Sequence, residues 1–196
     1  MTLSEIKERA ELLDDGHGIS VGFDIDDTLF DCSAIIRKLA RTGDLSTMLK
    51  NPKDDFWETL NCKDVEYCAK KKTAAAILHF HQQRGDNIYL ITAREPSDCK
   101  KDKNNLKDFI EREFNIHLNN DIVFTGYSAA DAQNAKTHAI RDNNIKLFYG
   151  DSDHDITGAI NAGAQGIRIL RNSSSFREGG DNVGKFGEWV VVDSDY

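Results

Sequence analysis

The chain has 196 residues, 39% of them hydrophobic, and 25 lysines and arginines against 33 aspartates and glutamates leave a net charge of -8. One domain's length and an ordinary apolar share exclude a wholly disordered chain. The acidic balance argues against a broad nucleic-acid-binding face, which would be basic.

Thr2 and Glu5 have the spacing of a capping box. They open an amphipathic helix to about Leu13, stopped at Asp14-Asp15-Gly16. The run 19–25, ISVGFDI, is β-branched, apolar and ends in acids, so it reads as a buried strand. Residues 31–70 read as an inserted helical subdomain with an apolar knot at Phe56-Trp57. Residues 1–30 and 71–196 form the core around it. From about Lys70 the pattern alternates regularly. A helix ends at Arg84-Gly85, followed by strand 87–92, helix 102–114, strand 121–126, helix 131–142, strand 145–150, helix 154–162 and strand 166–170. A Gly- and Ser-rich loop, 172–187, precedes a last strand at 188–192. This alternation predicts an α/β fold, a mostly parallel sheet with helices on both faces.

No apolar run nears the roughly 18 residues of a membrane span. The start MTLSEIKERAELLDDG has no apolar signal-peptide stretch, so a cytoplasmic protein is expected. Cys32, Cys62, Cys68 and Cys99 contain no C-x-x-C and match no zinc spacing. They are expected to be free thiols in a reducing compartment. His79 and His81 lie two apart, on different sides of their helix, and offer no metal pair.

In open α/β sheets, ligands bind beyond the C-terminal ends of the strands. The residues there form a coherent set. Asp24, Asp26, Asp27 and Thr28 follow the first strand; Thr92, Ala93 and Arg94 follow the second. Lys136 comes from the helix after the third, and Asp151, Ser152, Asp153 and Asp155 follow the fourth. So many carboxylates at one edge require a cation, and all-oxygen ligands beside a phosphate suit Mg²⁺. Lys136 would share in neutralising the transferring group, with Thr92 and backbone N–H groups holding its oxygens. Asp24 and Asp26, two apart in extended chain, face one side. One carboxylate can attack phosphorus and the other can protonate the leaving oxygen, then deprotonate water. The acid needs its pKa raised by neighbouring anions. His154 reads as facing solvent or substrate.

At these residues the chain resembles the HAD-like superfamily of phosphatases: F-D-I-D-D-T at 23–28, Thr92 after I-Y-L-I, Lys136, and G-D-S-D-H-D at 150–155. The stretches V-G-F-D-I-D-D-T, F-W-E, F-Y-G-D-S-D-H-D-I-T, G-I-R-I-L-R and F-G-E-W-V-V-V-D-S-D-Y look like class B acid phosphatases. The resemblance implies a three-layer Rossmann-like sheet with a small helical cap. It implies a Mg²⁺-dependent phosphomonoesterase with Asp24 as nucleophile and Asp26 as acid and base. Metal ligands would be Asp24, the Asp26 carbonyl and Asp151, with Asp155 supporting them. Thr92, Ala93, Arg94 and Lys136 would handle phosphate, and Trp57 would wall the substrate pocket. Ala93 departs from the family's usual glycine but keeps the backbone donor.

An aryl or nucleotide phosphate monoester is the expected substrate, with a phosphotyrosyl protein as the alternative. A receiver-like signalling module gathers similar residues, but it needs a long-lived aspartyl-phosphate, and an acid at Asp26 would turn that intermediate over.

Overall fold

The computed structural model describes residues 1–14, 16–40, 56–63, 67–97, 106–126, 132–173, 175 and 181–195. Helix α1 (Leu3–Leu12) carries the expected capping box, with Thr2 and Glu5 each satisfying the other's backbone N–H. The remaining elements follow as β1 (Ser20–Phe23), β2 (Phe30–Asp31), α2 (Ser33–Ala40), α3 (Phe56–Glu58), a π turn (Thr59–Lys63), β3 (Ala69–Lys70), α4 (Lys72–Arg84), β4 (Asn87–Thr92) and α5 (Leu106–Phe114). The chain closes with β5 (Val123–Phe124), α6 (Ala132–Asp142), β6 (Leu147–Gly150), α7 (Asp153–Asn161), β7 (Gln165–Ile169) and β8 (Trp189–Val191).

The strands form a six-stranded sheet in the order β5-β4-β1-β6-β7-β8, every pair parallel. The switch in strand order places β1 at the centre, where a doubly wound sheet opens its ligand crevice. Alternation along the strands sorts their side chains between two apolar layers. Val21, Phe23, Ile88, Leu90, Leu147 and Tyr149 join the layer that holds Ile6, Ile77 and Ile110 of α1, α4 and α5. Ile91 and Phe148 join the opposite layer, with Ile140 of α6 and Ala159 of α7. Position 22 faces the second layer and is glycine because nothing larger fits: a Cβ there would lie 2.6 Å from the Phe148 ring.

The strand expected over 121–126 is shorter than its sequence suggested. Only Val123 and Phe124 pair, at the sheet's edge, where one neighbour supplies hydrogen bonds. Within 31–70, α2, α3 and the π turn are helical, and 41–55 and 64–66 lie outside the described residues. Near the two ends of this stretch, β2 and β3 pair antiparallel.

That pairing corrects the expectation for the cysteines. Cys32 follows β2 and Cys68 precedes β3, so the ladder brings their Cα atoms to 4.3 Å and they form a disulfide. Cys62 is also disulfide-bonded, and Cys99 lies outside the described residues. Partners 36 residues apart leave no short spacing to recognise. Disulfides persist in oxidising compartments, so the thiol argument for a reducing one falls away. No helix among the described residues is long and apolar enough to cross a membrane.

Beneath β1 and β6, His81 is buried between Asp86 (Nδ1 to Oδ2, 2.6 Å) and the Tyr149 hydroxyl (Nε2 to Oη, 2.7 Å). Nδ1–H donates to Asp86 and Nε2 accepts from Tyr149, an arrangement that suits a neutral ring. Burial holds His81 below the ordinary histidine value, against the pull of Asp86. Burial would raise Asp86, but hydrogen bonds from His81, the Ile19 N–H and Arg84 bring it below the usual carboxylate range.

Replacing Cys32 and Cys68 together with serine should cost roughly 2–4 kcal/mol in denaturant unfolding; an unchanged midpoint would contradict the bond. A histidine with a depressed folded pKa is protonated first in the unfolded chain, so its stabilisation is present above about pH 6.5 and lost as pH falls. Asp86 acts in the same direction at lower pH. The thermal midpoint should therefore fall between about pH 7 and about pH 5, and His81→Gln should flatten that slope in calorimetry. Equal slopes would reject the assignment.

Candidate active site

The site is built at the C-terminal edge of β1, β4 and β6. Asp24 extends β1 by one ladder bond, its N–H donating to the Tyr149 carbonyl at 2.8 Å. The chain then turns tightly. Asp27 adopts φ 60°, and Leu29 and Phe30 donate back to the Ile25 carbonyl. Aspartate tolerates this left-handed conformation better than most residues. The Asp27 N–H closes the turn on the Phe30 carbonyl at 2.8 Å, and Lys71 Nζ donates to the Asp27 carbonyl at 2.9 Å. This turn aims Asp24, Asp26 and Thr28 at the crevice.

Asp24 is buried, and Lys136 of α6 donates to its Oδ1 at 2.7 Å. The same ammonium donates to Asp155. Thr28 Oγ1 lies 3.3 Å from both Asp24 Oδ2 and Asp151 Oδ1, so its one hydrogen can serve either carboxylate. Asp155 is oriented by α7, where it and Ser152 form a capping box; the Ser152 hydroxyl donates to Asp155 Oδ2 at 2.6 Å. Gly150 makes room for this approach, because a Cβ there would stand 2.3 Å from the Asp155 Cβ. One carboxylate oxygen from each of Asp24, Asp151 and Asp155 lies within 4.8 Å of the others.

The electrostatics follow from this crowding. Burial pushes the Asp24 carboxyl well up; Lys136 opposes it, while Asp155, Asp151 and Asp26 add to the rise. Burial also opposes charge on Lys136, but the Asp155 and Asp24 carboxylates outweigh it and raise the ammonium above its usual value. Asp155 is burdened by burial too, yet Lys136 and Ser152 bring it down to about 2. The three carboxylates form an all-oxygen donor set, the kind that hard divalent cations such as Mg²⁺ take. A dication among them would relieve the repulsion that raises Asp24.

The other predicted residues fall around this centre. Asp26, partly exposed, does not stand chiefly among anions as expected: its two oxygens accept from Arg94 Nε at 2.9 Å and Nη2 at 2.7 Å. Thr92 ends β4, where its Oγ1 accepts from the Arg94 N–H at 3.2 Å. Ala93 links the two and is half-buried. The Arg94 side chain is thus engaged with a carboxylate. Trp57 packs edge-to-face on Phe56 at 4.8 Å and lies against the main apolar core. His154 is exposed.

Two groups escaped the sequence reading. Arg171 donates to Asp151 and to Asp181. It lies two residues past β7, so the rule that found the other residues would have found it had it been applied to that strand. Asn61 sits on the π turn and accepts from Arg94 Nη1 at 3.0 Å; no local pattern announces it.

Comparison with known proteins places this geometry. The chain matches the family described as HAD superfamily, subfamily IIIB (Acid phosphatase), over residues 2–176. It is 40% identical over 182 residues to a class B acid phosphatase of Rahnella sp. (strain Y9602), covering 91% of this chain and 73% of that one. It is 36% identical over 177 residues to the class B acid phosphatase of Marinomonas sp. (strain MWYL1), covering 90% and 72%. Among solved structures, a substrate-bound phosphoserine phosphatase complex aligns with a TM-score of 0.53 at 13% identity, covering 91% of this chain and 94% of that one. At that identity the likeness speaks to the fold alone.

Gly150→Ala should cost about 1–3 kcal/mol in urea unfolding, because the new methyl must displace Asp155. An unchanged midpoint would contradict the close approach.

Proposed function

The chain belongs to the subfamily IIIB acid phosphatases of the HAD superfamily and is a hydrolase of phosphate monoesters, and on that premise we propose that it is a Mg²⁺-dependent phosphomonoesterase working through an aspartyl-phosphate on Asp24. The observation that carries this reading is the position of Asp24, buried at the end of β1, cross-linked by Lys136 to Asp155 and within ligand reach of Asp151. The carboxylates of Asp24 and Asp151 and the Asp26 carbonyl would hold the cation, with Asp155 behind them. When bound, a dication neutralises charge on the phosphoryl oxygens and favours the ionised form of Asp24.

The remaining steps belong to the protein's own groups. An Asp24 oxygen attacks phosphorus as the bond to the leaving oxygen breaks. Asp26, on the same turn, donates the proton that the leaving oxygen takes, a role that requires one of its two oxygens to leave the Arg94 fork and carry the proton. Water then attacks the phosphorus of the aspartyl-phosphate; Asp26 accepts its proton, the bond to Asp24 breaks, and inorganic phosphate departs. Lys136 keeps Asp24 and Asp155 fixed while charge moves. The Thr92 hydroxyl and the backbone N–H groups beside Ala93 would hold phosphoryl oxygens.

Aryl and nucleotide monoesters are the proposed substrates, and the alternative phosphotyrosyl protein is an outcome of the same assay. The disulfide-bonded cysteines favour work in an oxidising compartment over the cytoplasm.

The test is steady-state hydrolysis of 4-nitrophenyl phosphate, a nucleoside monophosphate and a phosphotyrosyl peptide, with Mg²⁺ or with chelator. Turnover should require Mg²⁺ and fall on the order of a thousandfold or more in Asp24→Asn. Turnover that survives either change rejects the mechanism, and preference for the peptide selects the alternative substrate.

A further inference from the structure

Arg94 is 1% exposed, and each nitrogen of its guanidinium has a partner. Nε and Nη2 fork onto the two oxygens of Asp26, and Nη2 also lies 3.4 Å from Cys32 Sγ. Nη1 donates to Asn61 Oδ1 at 3.0 Å. Asn61 is itself 2% exposed, and its Nδ2 donates to the Glu95 carbonyl at 3.0 Å and to Ser97 Oγ at 2.8 Å. One carboxamide, reaching across from the π turn, therefore grips residues 94, 95 and 97 beyond β4. Such turns are rare and concentrate at functional positions.

The geometry has a chemical consequence. A guanidinium is rigid and planar, so fixing Nη1 fixes the plane of the fork. The fork in turn fixes the plane of the carboxylate it holds. Without Asn61, a buried N–H would lose its acceptor, and Arg94 would turn to find another. Asp26 would turn with it.

We propose that Asn61 is a positioning residue: through Arg94 it sets the plane of the Asp26 carboxyl, so that the oxygen released from the fork carries its proton to the leaving oxygen. This rests on the reading of Asp26 as the acid. It ties proton donation to the seating of the 56–63 segment against the end of β4. A substrate whose leaving group departs as a stable anion has little use for the proton. A substrate leaving as an alkoxide depends on it.

The experiment compares kcat/KM for 4-nitrophenyl phosphate and for a simple alkyl phosphate, in the Mg²⁺-loaded protein. This parameter reports the steps up to departure of the leaving group. Asn61→Ala should lower the alkyl value by on the order of tenfold or more and the nitrophenyl value by less than about threefold. Circular dichroism confirms the fold; if Asn61→Ala does not fold, Asn61→Leu, close in size and without polar groups, carries the same comparison. In an Asp26→Asn background, the Asn61 substitution should leave the ratio of the two values unchanged. Equal losses on both substrates, or a wild-type ratio, would overturn the role of Asn61. If Asp26→Asn itself keeps the wild-type ratio, the acid reading fails instead, and the two failures are distinguished.

Discussion

Carboxylates repel, and everything at the crevice edge answers to that fact. Two unit charges 4.8 Å apart, the outer separation of the Asp24, Asp151 and Asp155 oxygens, repel by roughly 3 kcal/mol at an effective dielectric of 20. The fold gathers these groups in buried positions, where water does little to screen them. It sets a cation against each. Lys136 stands between Asp24 and Asp155, Arg171 against Asp151, and Arg94 against Asp26. Even so, Asp24 stays well above the usual carboxylate range, because burial and three neighbouring acids outweigh its one lysine. The proposed cation would relieve that residual imbalance.

Regular secondary structure carries these counterweights. All but Lys136 sit at or near the end of a regular element. Asp24 continues the β1 ladder, Asp155 caps α7, and Lys136 rides on α6. The small residue Gly150 lets α7 approach β6 closely enough for Asp155 to reach the lysine. Packing, capping and electrostatics therefore depend on one another at this edge.

Much of this was legible in the residues. Strand period, capping signals and chain order were enough for the parallel sheet, because local patterns specify local elements. The strand-end rule collected Asp24, Asp26, Thr92, Lys136, Asp151 and Asp155, because topology converts scattered positions into one edge. What stayed hidden depends on contacts distant in sequence. The disulfide of Cys32 with Cys68 arises from the pairing of two short strands far apart in the chain, Phe30 against Lys70 and Asp31 against Ala69. The grip of Asn61 on Arg94 spans 33 residues and begins on a π turn, for which no sequence period exists. The company of Asp26 was misjudged for the same reason: its neighbours along the chain are acids, while its partner in space is an arginine.

The central claim is covalent chemistry at Asp24. Its most direct test is to quench turnover of a labelled phosphate monoester in acid within milliseconds, digest the protein and map the label. The account predicts a hydroxylamine-labile phosphoryl group on the peptide that contains Asp24, absent in Asp24→Asn. A label on any other residue, or efficient turnover with no labelled protein at any time point, would contradict it.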